Sequence, residues 1–195
     1  MFDIVNDGKL AAAARKKGFE DVFVMNKDIT LISSGNISEF RKLISREKKS
    51  GGIIAVLGND DELNRSVLRM DIDFLLSPEN IRRRDFPDYR NSGLNHVLCK
   101  EAAEKNIAIA FNFSDILNLQ GEDKSLRLGR MMQNVKLCLK FKVPMILATF
   151  ASAESELRSP DEIISFGISI GMSRIDAEKA LNQISKIKQK ESRHS

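Results

Sequence analysis

The chain has 195 residues, of which 42% are hydrophobic and 30% charged, a composition that predicts one globular domain with a buried core. Its 31 basic and 27 acidic residues leave a net charge of +4, so a nucleic-acid site would be a local patch and not a field over the whole surface. No apolar run approaches the roughly 18 residues of a membrane span, and the N-terminus lacks the pattern of a signal peptide. We therefore expect a cytoplasmic protein without membrane contact.

Apolar runs alternate with amphipathic stretches along the whole chain. The apolar runs predict strands at residues 2–5, 22–25, 53–57, 72–76, 107–111 and 145–148, with a short additional strand at 29–32. The amphipathic stretches predict helices at residues 10–17, 37–49, 60–70, 94–105, 122–142, 160–171 and 173–188. Asn36 before Glu39, and Ser159 before Pro160 and Glu162, are strong signals for a helix start.

This alternation, with short connections, predicts a parallel sheet covered by helices. Six or seven strands in fewer than 200 residues favour a TIM-barrel-like (β/α) barrel, closed or nearly closed, over two domains. The expected single α/β domain spans residues 1–188 and includes C-terminal helices, and a basic tail at 189–195 should fray. The alternative is a doubly wound open sheet. No phosphate-binding glycine fingerprint follows the first strand, which argues against a nucleotide-binding Rossmann domain.

Three arginines, Arg82, Arg83 and Arg84, open the most informative segment, which we name the arginine loop (residues 82–90). Phe86, Tyr89 and Arg90 complete it, and the start of a helix follows. Guanidinium groups bridge phosphate oxygens, and aromatic rings stack on unpaired bases, so this combination predicts RNA contact. The alternative is a solvated turn, because charge runs are common in loops.

The helix predicted over residues 122–142 carries an apolar stripe bordered by cations. The stripe, expected to be core, consists of Leu128, Met131, Met132, Val135, Cys138 and Leu139. Arg127 and Arg130 flank one side, and Lys136 and Lys140 flank the other. Together with the arginine loop and Arg158 they would form a phosphate-binding patch; alternatively they extend into solvent.

His96 lies beside the buried stripe of its helix, which Leu94, Leu98 and Ala102 form. It can donate to a phosphate or a base edge, although a lone histidine is more often structural. Cys99 and Cys138 have no nearby ligand partners, so we expect small buried side chains and no zinc site.

Carboxylates follow several strands, where a barrel enzyme holds its active site. Asp7, Asp60 and Asp115 would be metal ligands or acid–base groups in a hydrolase. The simpler interpretation makes them helix caps. Barrel metallohydrolases need several histidines, and this chain has two.

Motifs spread over most of the chain resemble one family. They are the segments at residues 91–99 (NSGLNHVLC), 111–115 (FNFSD), 131–138 (MMQNVKLC), 156–160 (ELRSP) and 164–167 (ISFG). In this order they resemble the archaeal and eukaryotic ribonuclease P protein component 3 family over residues 2–172, in a short form typical of archaea.

The resemblance implies a TIM-barrel-like subunit of the ribonucleoprotein that removes the 5′ leader from precursor tRNA. Ribonuclease P RNA and its Mg²⁺ ions would perform the hydrolysis, so the chain would hold no catalytic residue, metal or cofactor. Expected partners are that RNA, protein component 2 and other protein subunits, with precursor tRNA met indirectly or at an edge.

Carried onto this sequence, the family's motifs give RNA-facing candidates and loop-ordering residues. The RNA-facing candidates are Arg90, His96, Arg127, Arg130, Lys136, Lys140 and Arg158, followed by Arg82, Arg83 and Arg84. Asn91 and Ser92 would cap the helix or order the arginine loop. The alternatives to this function are a self-sufficient metal-dependent phosphoesterase on the same barrel and a protein scaffold without RNA contact.

Overall fold

The structure, a computed structural model, describes residues 1–33, 36–81, 84–85 and 89–191. Within these ranges the strands are β1 (Phe2–Val5), β2 (Asp21–Val24), β3 (Ile29–Ile32), β4 (Ile53–Leu57), β5 (Phe74–Leu76), β6 (Ala108–Asn112) and β7 (Met145–Ala148). The helices are α1 (Ala11–Lys16), α2 (Ile37–Lys48), α3 (Asp61–Val67), α4 (His96–Lys105), α5 (Phe113–Leu117), α6 (Gly121–Phe141), α7 (Pro160–Ser169) and α8 (Arg174–Glu191). No helix in these ranges is both long and apolar enough to cross a membrane.

All strand pairs are parallel, as the alternating pattern predicts. β3 to β7 form a five-stranded sheet in chain order, and β1 pairs with β2 in a second sheet. Isolated bridges, Val5 to Ala151 and Met25 to Ile29, join the two sheets. The α/β fold with a barrel-like, incompletely closed wall is therefore confirmed.

Alternate residues along each strand face two different cores. One set, which includes Ile4, Phe23, Phe74 and Ala110, fills the inside of the curved wall. The other set packs beneath the surrounding helices. Ile184 of α8 belongs to the inner cluster, and α8 contacts both β7 and β1, so this helix packs against the curved wall.

The helix starts predicted from Asn36 and Ser159 are present, one helix was not predicted, and several other boundaries differ by one to three residues. Asn36 and Ser159 both form capping boxes. α5 was not predicted; it begins directly where β6 ends, with the Asn112 side chain accepting from the backbone N–H of Asp115. α8 continues to Glu191, into the tail expected from residue 189, and residues 192–195 lie outside the described ranges, so the fraying of this tail stays a prediction.

A buried carboxylate ties β1 to the end of β7. Asp3 Oδ1 accepts from the backbone N–H of Thr149 at 2.7 Å and of Ile4 at 2.9 Å, and Oδ2 accepts from the Thr149 hydroxyl at 2.7 Å. Asp3 is fully buried. Burial raises its pKa from 3.8 to about 6, although the hydrogen bonds from Thr149 and Ile4 oppose that shift. The seam between the two sheets thus includes a carboxyl group that is more easily protonated in the folded state.

We expect Asp3→Asn to remove a pH-dependent loss of stability. The pKa of Asp3 is higher in the folded than in the unfolded protein. The contribution of Asp3 to the free energy of unfolding is therefore complete below pH 4 and is lost as the pH rises through 6. The loss is about 3 kcal/mol by linkage. Asparagine stays neutral, so the free energy of unfolding measured in urea should rise for the variant relative to the wild type between pH 4.5 and 7.5.

Asp21→Asn is the control, because Arg15 lowers the pKa of that exposed carboxyl. The difference in free energy of unfolding between this variant and the wild type should therefore change in the opposite direction, with the variant losing stability relative to the wild type as the pH rises. A constant gap between Asp3→Asn and the wild type across this pH range would contradict the prediction.

Candidate nucleic-acid interface

The carboxyl ends of the strands meet at one edge, and polar side chains there bind one another. Ser77, after β5, donates to Asp115 Oδ2 at 3.0 Å, and Asn112 Nδ2 donates to Asp115 Oδ1 at 3.0 Å. Asn6, after β1, donates to the carbonyl of Phe150 at 2.7 Å. In a barrel-like fold this edge is where ligands normally bind. Here it is largely occupied by hydrogen bonds within the protein.

Arg127 of α6 points into this edge. Its Nη2 donates to Asn80 Oδ1 at 2.7 Å, and its Nη1 lies 3.6 Å from Asp115 Oδ2. Burial raises the pKa of Asp115, while the Ser77 hydrogen bond and the Arg127 charge lower it. Only 14% of the Arg127 side chain is exposed. Its RNA contact stays a prediction, and little of the guanidinium is left at the surface to make it.

Arg130, one turn further along α6, is buried. It is 2% exposed, its Nε donates to Asp85 Oδ1 at 2.8 Å, and its Nη1 donates to the carbonyl of Ile81 at 2.7 Å. Asp85 also accepts from the backbone N–H of Asn91 at 2.9 Å. The expectation that Arg130 faces RNA is therefore wrong, because its donors bind Asp85 of the arginine loop and the carbonyl of Ile81 inside the protein.

Gln133 and Asn134 hold the far end of the loop. Gln133 Nε2 donates to the carbonyl of Arg90 and to the Ser92 hydroxyl, both at 3.0 Å. Asn134 Nδ2 donates to the carbonyl of Ser92 at 2.8 Å. Gly93 follows with a φ of 78°, and a Cβ there would collide with the backbone of Pro78. Asn91 and Ser92 do not cap the helix, because Asn95 caps α4; that they order the arginine loop stays a prediction, which their contacts with Asp85, Gln133 and Asn134 support.

Glu79 lies fully buried between these ties. Its Oε2 accepts from Asn134 Nδ2 at 3.3 Å. Among the described residues, Glu79 Oε1 and Asn134 Oδ1 have no hydrogen-bond partner. Burial raises the pKa of Glu79 to about 7, outweighing its backbone hydrogen bond and the charge of Arg127. A proton on Glu79 converts one of these acceptor atoms into a donor.

The other predicted RNA-facing residues include exposed side chains and one side chain that binds within the protein. Arg84, Arg90, His96, Lys136 and Lys140 are exposed. Arg158 donates to the carbonyls of Ser155 and Leu157 and lies 5.5 Å from the Phe113 ring, with 28% of its side chain exposed. Arg82 and Arg83 lie outside the described residues. The exposed cations border the arginine loop and the outer face of α6.

The carboxylates considered for metal binding serve as caps or ion-pair partners. Asp7 accepts from the Lys9 N–H at 2.9 Å and Asp60 from the Leu63 N–H at 2.8 Å, as the simpler interpretation predicts, whereas Asp115 pairs with Arg127. Across the described ranges no three His, Cys, Asp or Glu side chains gather as a metal-binding group. Cys99 and Cys138 are buried, as predicted.

Sequence reasoning missed Glu79 and Asn134, which are buried beside the arginine loop, and the role of Asp85 within the loop as the partner of Arg130. A signal was present for Asn134, because it lies between Met131 and Val135 on the buried face of α6. A polar residue on a buried face needs a partner.

These features define a class: a barrel-like α/β protein whose strand-end edge is filled by its own side chains and whose cations lie on an adjoining surface. The chain belongs to the RNase P subunit p30 family, which it matches over residues 21–195.

Three archaeal relatives named ribonuclease P protein component 3 illustrate the match. That of Methanococcoides burtonii is 33% identical over 168 residues, covering 86% of this chain and 64% of the relative. That of Thermococcus kodakarensis is 33% identical over 140 residues, covering 70% and 60%. That of Methanococcus maripaludis is 31% identical over 136 residues, covering 69% and 56%. The chain thus matches between 56% and 64% of the length of these relatives.

Solved structures support the fold. A chain in a cryo-EM structure of archaeal ribonuclease P with mature tRNA has a TM-score of 0.75 and 23% identity, covering 97% of this chain and 80% of that one. An uncharacterized protein has a TM-score of 0.59 and 10% identity, covering 95% of this chain and 48% of its own.

We expect Arg130→Met to destabilise the protein by about 3 kcal/mol, because it leaves Asp85 and two carbonyls without their donor. Urea unfolding measures this loss. Arg174→Met is the matched control: Arg174 also makes two ion pairs but is 64% exposed, so its loss should cost less than about 1 kcal/mol. Equal costs for the two variants would show that Arg130 is not an anchor.

Glu79→Gln should make stability less dependent on pH. The folded pKa of Glu79 is raised from 4.5 to about 7, so the wild-type contribution is complete below pH 4.5 and is lost as the pH rises through 7. Glutamine keeps the shape and remains neutral. The unfolding temperatures of the variant and the wild type should be compared at pH 5 and pH 8, and the variant should be more stable relative to the wild type at pH 8. The same difference at both pH values would refute the raised pKa of Glu79.

Proposed function

We propose that this chain is a protein subunit of ribonuclease P, the cytoplasmic ribonucleoprotein that removes the 5′ leader from precursor tRNA. The observation that carries the proposal is the family match over residues 21–195. Relatives named as ribonuclease P protein component 3 support it, as does the likeness to a chain of an archaeal ribonuclease P.

In this proposal the RNA component and its Mg²⁺ ions hydrolyse the phosphodiester, and the chain itself contributes no catalytic group. The state of the strand-end carboxylates supports this division. Asp7 and Asp60 cap helices, and Asp115 is bound by Ser77 and Arg127. An enzyme needs such groups directed at a substrate, whereas these groups are directed at the protein.

The chain would act by presenting cations to the RNA backbone. Arg84 is exposed within the arginine loop, and Arg158 is partly exposed beyond α5. His96, also exposed, can donate a hydrogen bond to a phosphate. Cations near phosphates reduce their mutual repulsion, which allows the RNA to fold at lower salt. Such contacts position an RNA without reading its sequence. Protein component 2 and other protein subunits would share the assembly.

The test is cleavage of precursor tRNA by the cognate ribonuclease P RNA at limiting Mg²⁺, with component 2 present, with and without this chain. We expect this chain to stimulate 5′ cleavage, and we expect the stimulation to decline as monovalent salt is raised, because charged contacts are screened.

Two controls make the assay decisive. The chain alone with precursor tRNA should give no product. Cleavage by the chain without RNA would instead indicate the phosphoesterase, and absence of stimulation in the full mixture would overturn the subunit proposal.

A further inference from the structure

The outer face of α6 borders an apolar groove that the proposed function does not explain. Met132, Leu137 and Leu139 of α6 form one wall, with Ile170 beyond the end of α7 and Tyr89 at the rim. The groove encloses about 760 Å³. Exposed apolar side chains that gather in one groove make it a candidate interaction site.

Met132 and Leu139 were expected in the core and are 49% and 39% exposed, which corrects that prediction. The reason is the angle around α6. At about 100° per residue, Met131, Val135 and Cys138 cluster within about 60° and take the buried face. Met132 and Leu139 lie on the side of that stripe that turns towards Lys136. The helix therefore carries apolar side chains on two faces, and the described residues cover only one of them.

Gly129 shapes the end of the groove. A Cβ at this position would collide with the guanidinium of Arg90, so a larger residue here would displace the flexible end of that side chain from its position across the helix. A glycine inside a helix costs about 1 kcal/mol relative to alanine. Arg90 remains 48% exposed, and its Nη1 lies 3.9 Å from Asp85. The arrangement holds a cation at the edge of an apolar surface.

The charged side chains among the described residues that line the groove are all basic. Arg90, Lys136 and Lys140 line the groove, and no acidic side chain is among the described residues that line it. Among the described residues that line the groove, the apolar side chains are mainly aliphatic, and Tyr89 is the one aromatic ring. Unpaired RNA bases stack on aromatic or guanidinium planes, whereas Met, Tyr and Arg beside aliphatic groups are typical of protein interfaces. These features favour a protein over RNA as the occupant.

We propose that the groove binds an amphipathic segment of a partner protein, whose apolar side chains enter it and whose acidic side chains pair with Arg90, Lys136 and Lys140. The wall from Gly129 to Lys140 is about 16 Å long at 1.5 Å per residue, which matches a helix of about three turns. The proposal rests on the proposed function, because the partner is sought among the other protein subunits of ribonuclease P. Under this proposal, Arg90, Lys136 and Lys140 bind carboxylates of the partner protein and not phosphates of the RNA.

The experiment compares two double variants of the full chain. Met132→Ser with Lys136→Glu alters the groove. Ile175→Ser with Lys179→Glu, on α8, is the matched control, because it changes an exposed apolar residue and a cation at the same spacing. Component 2 and the other protein subunits, each purified, are titrated calorimetrically against the wild type and both variants, and circular dichroism confirms that the variants fold.

We expect one subunit to bind the wild type and the α8 variant equally, and the groove variant at least 30-fold more weakly. Equal binding by all three chains, or binding of no subunit to the wild type, overturns the proposal. A groove variant that loses affinity for ribonuclease P RNA while keeping its protein affinity shows that RNA occupies the groove. Stimulation of cleavage by the wild type, measured separately, shows whether the proposed function stands when this inference fails.

Discussion

The buried guanidinium of Arg130 is the interaction on which the arginine loop depends. A buried charge is tolerated only when its donors are satisfied, and here the acceptors are Asp85 and the backbone carbonyls of Glu79 and Ile81. The acceptors belong to a segment with little regular structure, so the charge and the loop stabilise each other. Gln133 and Asn134, on the same helix, hold the other end of the segment. α6 therefore acts as the template for the loop, and the exposed Arg84 and Arg90 take their positions from it.

A consequence is the separation of two kinds of cation. Arg127 and Arg130 point inward and neutralise carboxylates at the edge where a barrel enzyme would keep its active site. Arg90, Lys136 and Lys140 point outward beside apolar side chains. The inner group forms a fixed network with these carboxylates, and the outer group is exposed at the surface. This arrangement suits a subunit whose contribution to a larger assembly is its surface.

Much of the architecture follows from local rules. Short apolar runs predicted all seven strands to within two residues, and the capping signals at Asn36 and Ser159 located two helices. These features depend on neighbours in sequence, which is why they are predictable. The site was predicted less well: Arg130 was expected at the surface, Met132 in the core, and Glu79 was not noticed. Each of these outcomes depends on which face of a helix meets a distant segment.

The sequence by itself determined the parallel α/β fold, the family, and the concentration of basic residues in the arginine loop and along α6. Periodicity, helix caps and motif order are properties of the sequence, so they can be recognised without a structure. Only the tertiary structure decided which cations are inside, how Asp3 joins β1 to β7, and which apolar face of α6 is left uncovered. The physical reason is that desolvation depends on everything surrounding a side chain. Those surroundings come from residues far away in sequence, such as Asp85 beside Arg130 and Thr149 beside Asp3.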